Sequence, residues 1–339
     1  MTTETTALPD GSLRGRFLLL AAALLVALVF AAMAGHDWAS PSRLMRALAG
    51  GQEIESRLLL VWRLPRVLAA ALVGALLGLG GAVFQGVFRN PLAEPYLLGA
   101  SGGAAIGATV ALLVPLGLPG GPALALLSFL GAWGATWIVL AVAGLHGRPD
   151  TAGLLLAGVA VAAMLGALRS FLMLALSDDT VNLQVVLSWT LGGIQTPDLA
   201  GLLLLAMLVV GALLLARTLA GGLDLLGLGD EQAYAFGLDP VRFARRAVLV
   251  GAGVVAAAVA FGGLVAFVGL IAPHLARWLV GPRHRALIPA SALIGGALVA
   301  ICDGIARAVL PPAEIPLGLV TALVGGPFFL VLLARRLKA

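Results

Sequence analysis

"FRNPLAEPYLLGASGGAAIGA", Phe88 to Ala108, places two prolines, a single glutamate and four glycines in one short stretch. A glycine cluster of this kind can cradle a phosphate or let two membrane helices touch, and the two readings lead to different folds. Gly99, Gly103 and Gly107 recur every fourth residue, which lines them along one helix face in the small-xxx-small pattern of close membrane packing. A phosphate loop needs Gly-Lys-Ser/Thr, and the only lysine is Lys338, beside the C-terminus. A dinucleotide fold needs a soluble βαβ unit around the glycines, which the apolar flanks do not supply. The glycines are therefore read as packing residues, with Pro91 and Pro95 marking a turn where a helix must stop.

Composition agrees with a membrane fold. Of 339 residues, 61% are hydrophobic and 11% charged, against ~25% charged in a soluble domain, and mean hydropathy is +1.07. Phe17 to Ala34, Val67 to Phe84 and Leu199 to Ala216 each hold 18 residues without a charge, about the length that crosses a ~30 Å hydrocarbon core. Strands of alternating polarity, the mark of a barrel, are absent from the pattern. The fold class is an all-α polytopic membrane protein of about ten transmembrane helices. The expected spans are 14–35, 63–88, 96–116, 121–145, 151–175, 198–217, 242–262, 266–279, 285–309 and 316–335. They form a single membrane domain, 13–339, after a tail, 1–12, expected to be disordered. Arg14, Arg16 and the apolar run that follows imitate a signal peptide, but the run exceeds the usual ~7–15-residue core and reads as a retained first helix. The single cysteine, Cys302, excludes an intramolecular disulfide.

Placing both termini in the cytoplasm puts fourteen of the 21 Lys and Arg inside: Arg14, Arg16, Arg89, Arg148, Arg217, Arg242, Arg245, Arg246, Arg277, Arg283, Arg285, Arg335, Arg336 and Lys338. Arg43, Arg46, Arg57, Arg63, Arg66, Arg169 and Arg307, the other seven, fall outside or toward it, a bias in the positive-inside direction. Ala247 to Ala276 is a 30-residue stretch without Lys, Arg, Asp or Glu, flanked on both sides by basic clusters that belong inside. Two crossings fit only if one helix is partial, with a break at Gly262-Gly263. Gly80-Gly81 precedes Pro91 by the spacing at which Gly262-Gly263 precedes Pro273, which suggests an inverted repeat of two five-helix halves, a transporter signature.

Catalytic and metal chemistry find no constellation. His36, His146, His274 and His284 lack ligand spacing, and His274 reads as a hydrogen-bonded structural residue at a helix break. Asp303 and Arg307, four apart with the acid first, can pair on one helix face, as a structural pair or as a functional intramembrane charge. Arg169, with Ser170, is expected to snorkel outward. The segment 218–241 differs from the other connections. In "LDLLGLGDEQAYAFGLDP" (Leu223 to Pro240), Asp230 can cap a helix from Glu231 to Phe236 that Gly237 ends in a left-handed cap. So short a helix needs an external support, either its own bundle or a soluble partner.

Three blocks carry a family resemblance: Arg63 to Ala108, Phe261 to Arg307, and "EIPLGLVTALVGGPFF" (Glu314 to Phe329). With "LLLAGVA" (Leu154 to Ala160) and the 223–240 segment, nearly the whole chain resembles the FecCD/vitamin B12-type ABC importer permease family, which takes up iron-siderophores, haem and cobalamin. The resemblance implies a homodimer of ten-helix subunits in the bacterial inner membrane, surrounded by lipid. It also implies two cytoplasmic ATPase subunits and a periplasmic or lipid-anchored substrate-binding protein. On this resemblance the chain is no enzyme and binds no cofactor, ATP being used by the partner subunit, and no nucleic acid is involved. Arg63, Arg66 and Arg307 match positions that dock the binding protein. Asn90, Leu92 and Thr151 match the cytoplasmic gate, and Asp230, Glu231, Ala233 and Gly237 fall in the helix that couples to the ATPase. "GRPDTAG" (Gly147 to Gly153) departs from the more polar or basic run expected there, and Met164 and Leu168 do not separate the possible substrates. The rival classes are an ion-coupled secondary transporter, for which Asp303 beside Arg307 is a poor coupling acid, and an intramembrane enzyme.

Overall fold

The computed structural model describes residues 11–338 apart from 36, 52, 118, 145–150 and 177–182. Among the described residues all regular structure is helical. The first half comprises α1 (Gly11–Met33), two short helices α2 (Pro41–Leu48) and α3 (Ile54–Leu58), then α4 (Leu64–Val87), α5 (Ala100–Leu113), α6 (Gly120–Gly144) and α7 (Thr151–Leu176). A short α8 (Leu183–Thr190) leads to the second half: α9 (Leu199–Leu226), α10 (Asp230–Ala235), α11 (Pro240–Gly262), α12 (Val268–Val280), α13 (His284–Ala308) and α14 (Leu317–Lys338). Eight stretches are long and apolar enough to cross a membrane, and α5 and α12 are shorter apolar helices; together they match the ten expected spans. The tail of 1–12 lies outside the described residues as far as residue 10, and residues 11 and 12 already belong to α1.

Glycine sets the packing. α4 is the hub, buried over most of its length and packed on α13, α11, α9 and α12. A Cβ at Gly74 would overlap the Gly295 carbonyl, one at Gly78 the Ser291 carbonyl, and one at Gly81 the Gly269 carbonyl, so the backbones themselves meet. In lipid such contact supplies the association that water exclusion supplies elsewhere. The opening stretch behaves in the same way. Gly103 faces the Gly131 carbonyl and Gly107 the Leu127 carbonyl across α5 and α6. Gly99 departs from the ladder: a Cβ there would make ordinary contacts, 3.5 Å from Val161 and 3.7 Å from Val139. Its requirement is conformational, because it is the left-handed N-cap of α5, at φ 75° and ψ 1°.

The two halves repeat their pairings. α4 packs on α13 as α11 packs on α6, and α5 lies beside α6 as α12 lies beside α13. The repeat does not follow the glycine–proline spacing, however. Gly80-Gly81 sits inside unbroken α4, whereas α11 ends at Gly262 and Pro273 lies within α12. The structural counterparts are the short helices α5 and α12. Each starts from a left-handed residue, Gly99 in one and Phe267 (φ 66°, ψ −17°) in the other. They are also tied together: the Tyr96 hydroxyl donates to the Val265 carbonyl at 3.2 Å, and Glu94 accepts the Phe267 N–H.

The 218–241 connection is shorter than the sequence suggests. α9 runs on to Leu226, past Arg217, because Gly222 admits the Phe243 ring and Asp224 accepts both the N–H (3.0 Å) and Nδ1 (2.6 Å) of His284 at the start of α13.

Candidate functional sites at the two ends of the bundle

At one end, α1, α4 and α13 bring together the three arginines singled out in the sequence. Arg63, Arg66 and Arg307 line one cavity of about 380 Å³, with Asp37, Arg43 and Glu314 also in its wall. Their states differ. Arg307 is 6% exposed and spent internally. Its Nε donates to Asp303 Oδ2 (2.9 Å), and its two terminal nitrogens donate to the carbonyls of Ala34 (2.7 Å) and Ala31 (2.8 Å). It is therefore a fastener between α13 and α1, and its guanidinium does not reach out toward a partner. Asp303 is fully buried and also receives Arg66, whose Nε and Nη2 each lie 3.1 Å from Oδ1. The expected i,i+4 pair is thus a triad with a guanidinium on each carboxylate oxygen, the arrangement that makes a buried charge tolerable. Arg66 has a second acid, with Nη1 2.8 Å from Glu314 Oε2. Arg63 is half-buried and donates to the carbonyls of Ala32 (3.3 Å), Met33 (3.5 Å) and Asp37 (3.3 and 3.4 Å). Carbonyls hold it in place without neutralising it, so Arg63 keeps its charge at the cavity mouth.

The other end carries the turn after α4 and the short helix α10, with α4 (24 residues, ~36 Å at the helical rise) separating the two. Asn90 Oδ1 accepts the Leu92 N–H at 3.0 Å, an Asx turn that fixes the backbone of both expected gate residues. Thr151 is the first residue of α7; its side chain, and residues 147–150 of the departing "GRPDTAG" segment, lie outside the described residues. α10 spans Asp230–Ala235, and its N-cap is Gly229, with no side-chain cap. Asp230, expected to cap, instead forms an ion pair with Arg89 on the turn preceding Asn90. Gly237 does take the left-handed conformation, φ 85°, and its N–H donates to the Tyr234 carbonyl at 2.9 Å. Ala233, expected at a partner contact, is fully buried against its own chain. The residues exposed here include two aromatics beside the polar Asp230, Glu231 and Gln232: Tyr234 is 72% and Phe236 69% exposed, with Leu228 alongside. Sequence reasoning passed over this pair because an apolar residue reads as core until the facing side is known.

Two intermediate polar groups have defined surroundings, and for His274 these differ from the hydrogen-bonded role expected of it. Arg169 donates to Thr190 Oγ1 of α8 at 3.1 Å, on the connection beyond the end of α7, so its reach ends on a protein partner. His274 packs its ring edge-on against Trp278 (4.7 Å) and Phe328 (5.7 Å) and leaves Nδ1 without a hydrogen-bond partner. Nearby, Arg277 donates to Gln85 Oε1 at 2.5 Å, and Gln85 Nε2 donates to the Gly269 and Leu270 carbonyls at 3.3 and 3.2 Å.

Ten apolar helices in two inverted halves, with a basic cavity at one end and a projecting aromatic helix at the other, define a multi-pass membrane permease. The chain belongs to the FecCD transport family, whose pattern matches residues 23–335. Among its relatives, the cobalamin import system permease BtuC of Halobacterium salinarum is 45% identical over 275 residues, covering 81% of this chain and 72% of that one. The hemin transport system permease HmuU of Yersinia pestis is 40% identical, covering 81% and 82%, and the Fe(3+) dicitrate permease FecD of Escherichia coli is 36% identical, covering 82% and 85%. A solved structure described as an inward-facing metal-chelate type ABC transporter superposes with TM-score 0.81 at 30% identity, covering 95% of this chain and 99% of that one.

Proposed function

We propose that this chain is the membrane subunit of an ATP-driven importer in the bacterial inner membrane, moving an iron chelate (a siderophore complex or haem) or cobalamin. It works as a homodimer with both termini in the cytoplasm and two ATPase subunits beneath it. A binding protein delivers substrate to the arginine end. The observation that carries this reading is the pairing of a charged cavity with an exposed aromatic helix at opposite ends of a family-wide fold. The apolar α7, only 6% buried within the chain, supports a second copy and lipid as its neighbours. Uptake of labelled cobalamin, haem and ferric siderophores by proteoliposomes containing permease and ATPase, with the substrate-binding protein supplied at the arginine end, tests the substrate class; ATP-dependent accumulation of none of them overturns the reading.

Two variants test the ends separately. Arg63→Glu is expected to slow binding-protein association about tenfold at low salt and to flatten its decline with salt, because a rim charge acts mainly on the encounter and salt screens the attraction that is lost. An association rate equal to wild type at both low and high salt argues for lipid headgroup anchoring instead. At the opposite end, Tyr234→Ser with Phe236→Ser is expected to strip the ATPase during purification while membrane insertion is retained, since buried aromatic anchors dominate most interfaces. Stoichiometric ATPase in that preparation removes α10 from the interface.

A further inference from the structure

Arg66 is not free to receive a partner's carboxylate. Nε and Nη2 are committed to the buried Asp303, and the remaining outward nitrogen, Nη1, is held by Glu314 at 2.8 Å. The two acids stand on different ground. Asp303 is fully buried and its other oxygen binds Arg307, so it cannot leave. Glu314 is half exposed, on the connection between α13 and α14, and its side chain can swing into water. The backbone around it is fixed, with Ile315 N–H donating to the Ala306 carbonyl (3.0 Å) and Leu317 N–H to the Gly192 carbonyl (2.9 Å). This connection therefore presents Glu314 to Arg66 without itself having to move. The cavity lining gives Arg43, Arg63, Arg66 and Arg307 against Asp37 and Glu314, with Asp303 behind the wall. Four positive charges less three negative leave one in excess, and loss of Glu314 raises the excess to two.

We propose that Glu314 is a built-in competitor at the docking cavity: it occupies the outward edge of Arg66 in the free permease, and an acidic partner surface must displace it. The partner chemistry is a carboxylate on a protein, for which the planar fork of arginine is suited. An intramolecular acid already in place lowers the apparent affinity of any incoming one, and this limits futile capture of other anions. The proposal rests on the reading of this end as a docking surface, and the test separates the two.

The probe is a fluorescein-labelled hexaglutamate peptide, titrated by anisotropy onto the permease–ATPase complex in nanodiscs. Glu314→Gln keeps side-chain size and removes the charge, and is expected to bind the peptide about three- to tenfold more tightly, the range set by loss of one partly exposed ion pair. Glu53→Gln is the control. Glu53 pairs with Arg46 at 3.3 Å on the exposed α2–α3 segment, so its neutralisation changes net charge equally without touching Arg66. Equal gains in both variants reduce Glu314 to a general electrostatic contribution and overturn the competitor role. Weaker binding by Glu314→Gln also overturns it, and assigns Glu314 to a cationic group on the partner. If Arg63→Glu binds as tightly as wild type, the docking surface itself fails, whatever Glu314 does. Glu314→Ala repeats the measurement should the glutamine amide rebuild a hydrogen bond to Arg66.

Discussion

Alanine in place of Asp303 is expected to leave little folded protein in the membrane. The carboxylate is wholly inside the protein and holds two guanidinium groups, Arg66 on one oxygen and Arg307 on the other. Removing it strands Arg307, which is 6% exposed, with backbone carbonyls and no counter-charge. Breaking a buried pair from one side costs ~3–5 kcal/mol, a large share of a typical ~5–15 kcal/mol stability. The damage spreads because the Arg307 nitrogens also hold the carbonyls of Ala31 and Ala34 at the end of α1. Asp303→Asn preserves shape and an acceptor and is expected to fall between the two. Thermal melting of detergent-solubilised variants measures the order; an alanine variant that melts with wild type would show that the triad contributes nothing to stability.

Gly103→Leu is the second large loss. Gly103 and Gly131 stand carbonyl to Cα across α5 and α6, and even the first carbon of a side chain at either overlaps the other's oxygen. A rotamer change cannot relieve a clash with backbone. Ordinary overpacking costs ~1–3 kcal/mol, and here the helix itself must retreat, taking Gly107 away from the Leu127 carbonyl. Gly134→Leu on α6 is the matched control, since a Cβ there meets nothing within 4 Å. Folded yield on size exclusion should collapse for the first and hold for the second. A normal yield from Gly103→Leu with only transport lost would instead make the glycine part of a ligand path.

What the sequence revealed was local. Ten spans followed from runs of apolar residues, and the Asp303–Arg307 pair from a four-residue spacing that one helix turn enforces. Arg66 could not be added to that pair, because it lies 237 residues away from Asp303 and no periodicity links two different helices. The extension of α9 was hidden for a related reason: Arg217 ends the apolar window, and the partner that keeps Asp224 in place, His284, is supplied by a distant element. Gly99 shows the converse limit. Its spacing from Gly103 and Gly107 is that of a packing ladder, yet it sits one residue before the helix, where backbone conformation decides. Asp230 does not cap α10 as its position suggests, because its partner Arg89 belongs to another connection that no local spacing reveals.

The paired short helices have a consequence for how the protein is made. α5 and α12 hold 14 and 13 residues, ~20 Å of helix, too short to bridge a ~30 Å hydrocarbon core unaided. Each begins at a left-handed residue without a side-chain cap of its own, so first-turn amide groups would face hydrocarbon if either entered the bilayer independently. Neither segment is a self-sufficient insertion unit. α5 gains a seat when α6 and α7 are present, and α12 when α4 and α13 are. The ribosome thus delivers the second seat long after the first. The contacts between Glu94 and Phe267, and between Tyr96 and Val265, can form only once α12 has been made, joining two halves synthesised some 170 residues apart. The first half therefore waits, with one of its short helices incompletely tied, until the second half supplies the partner.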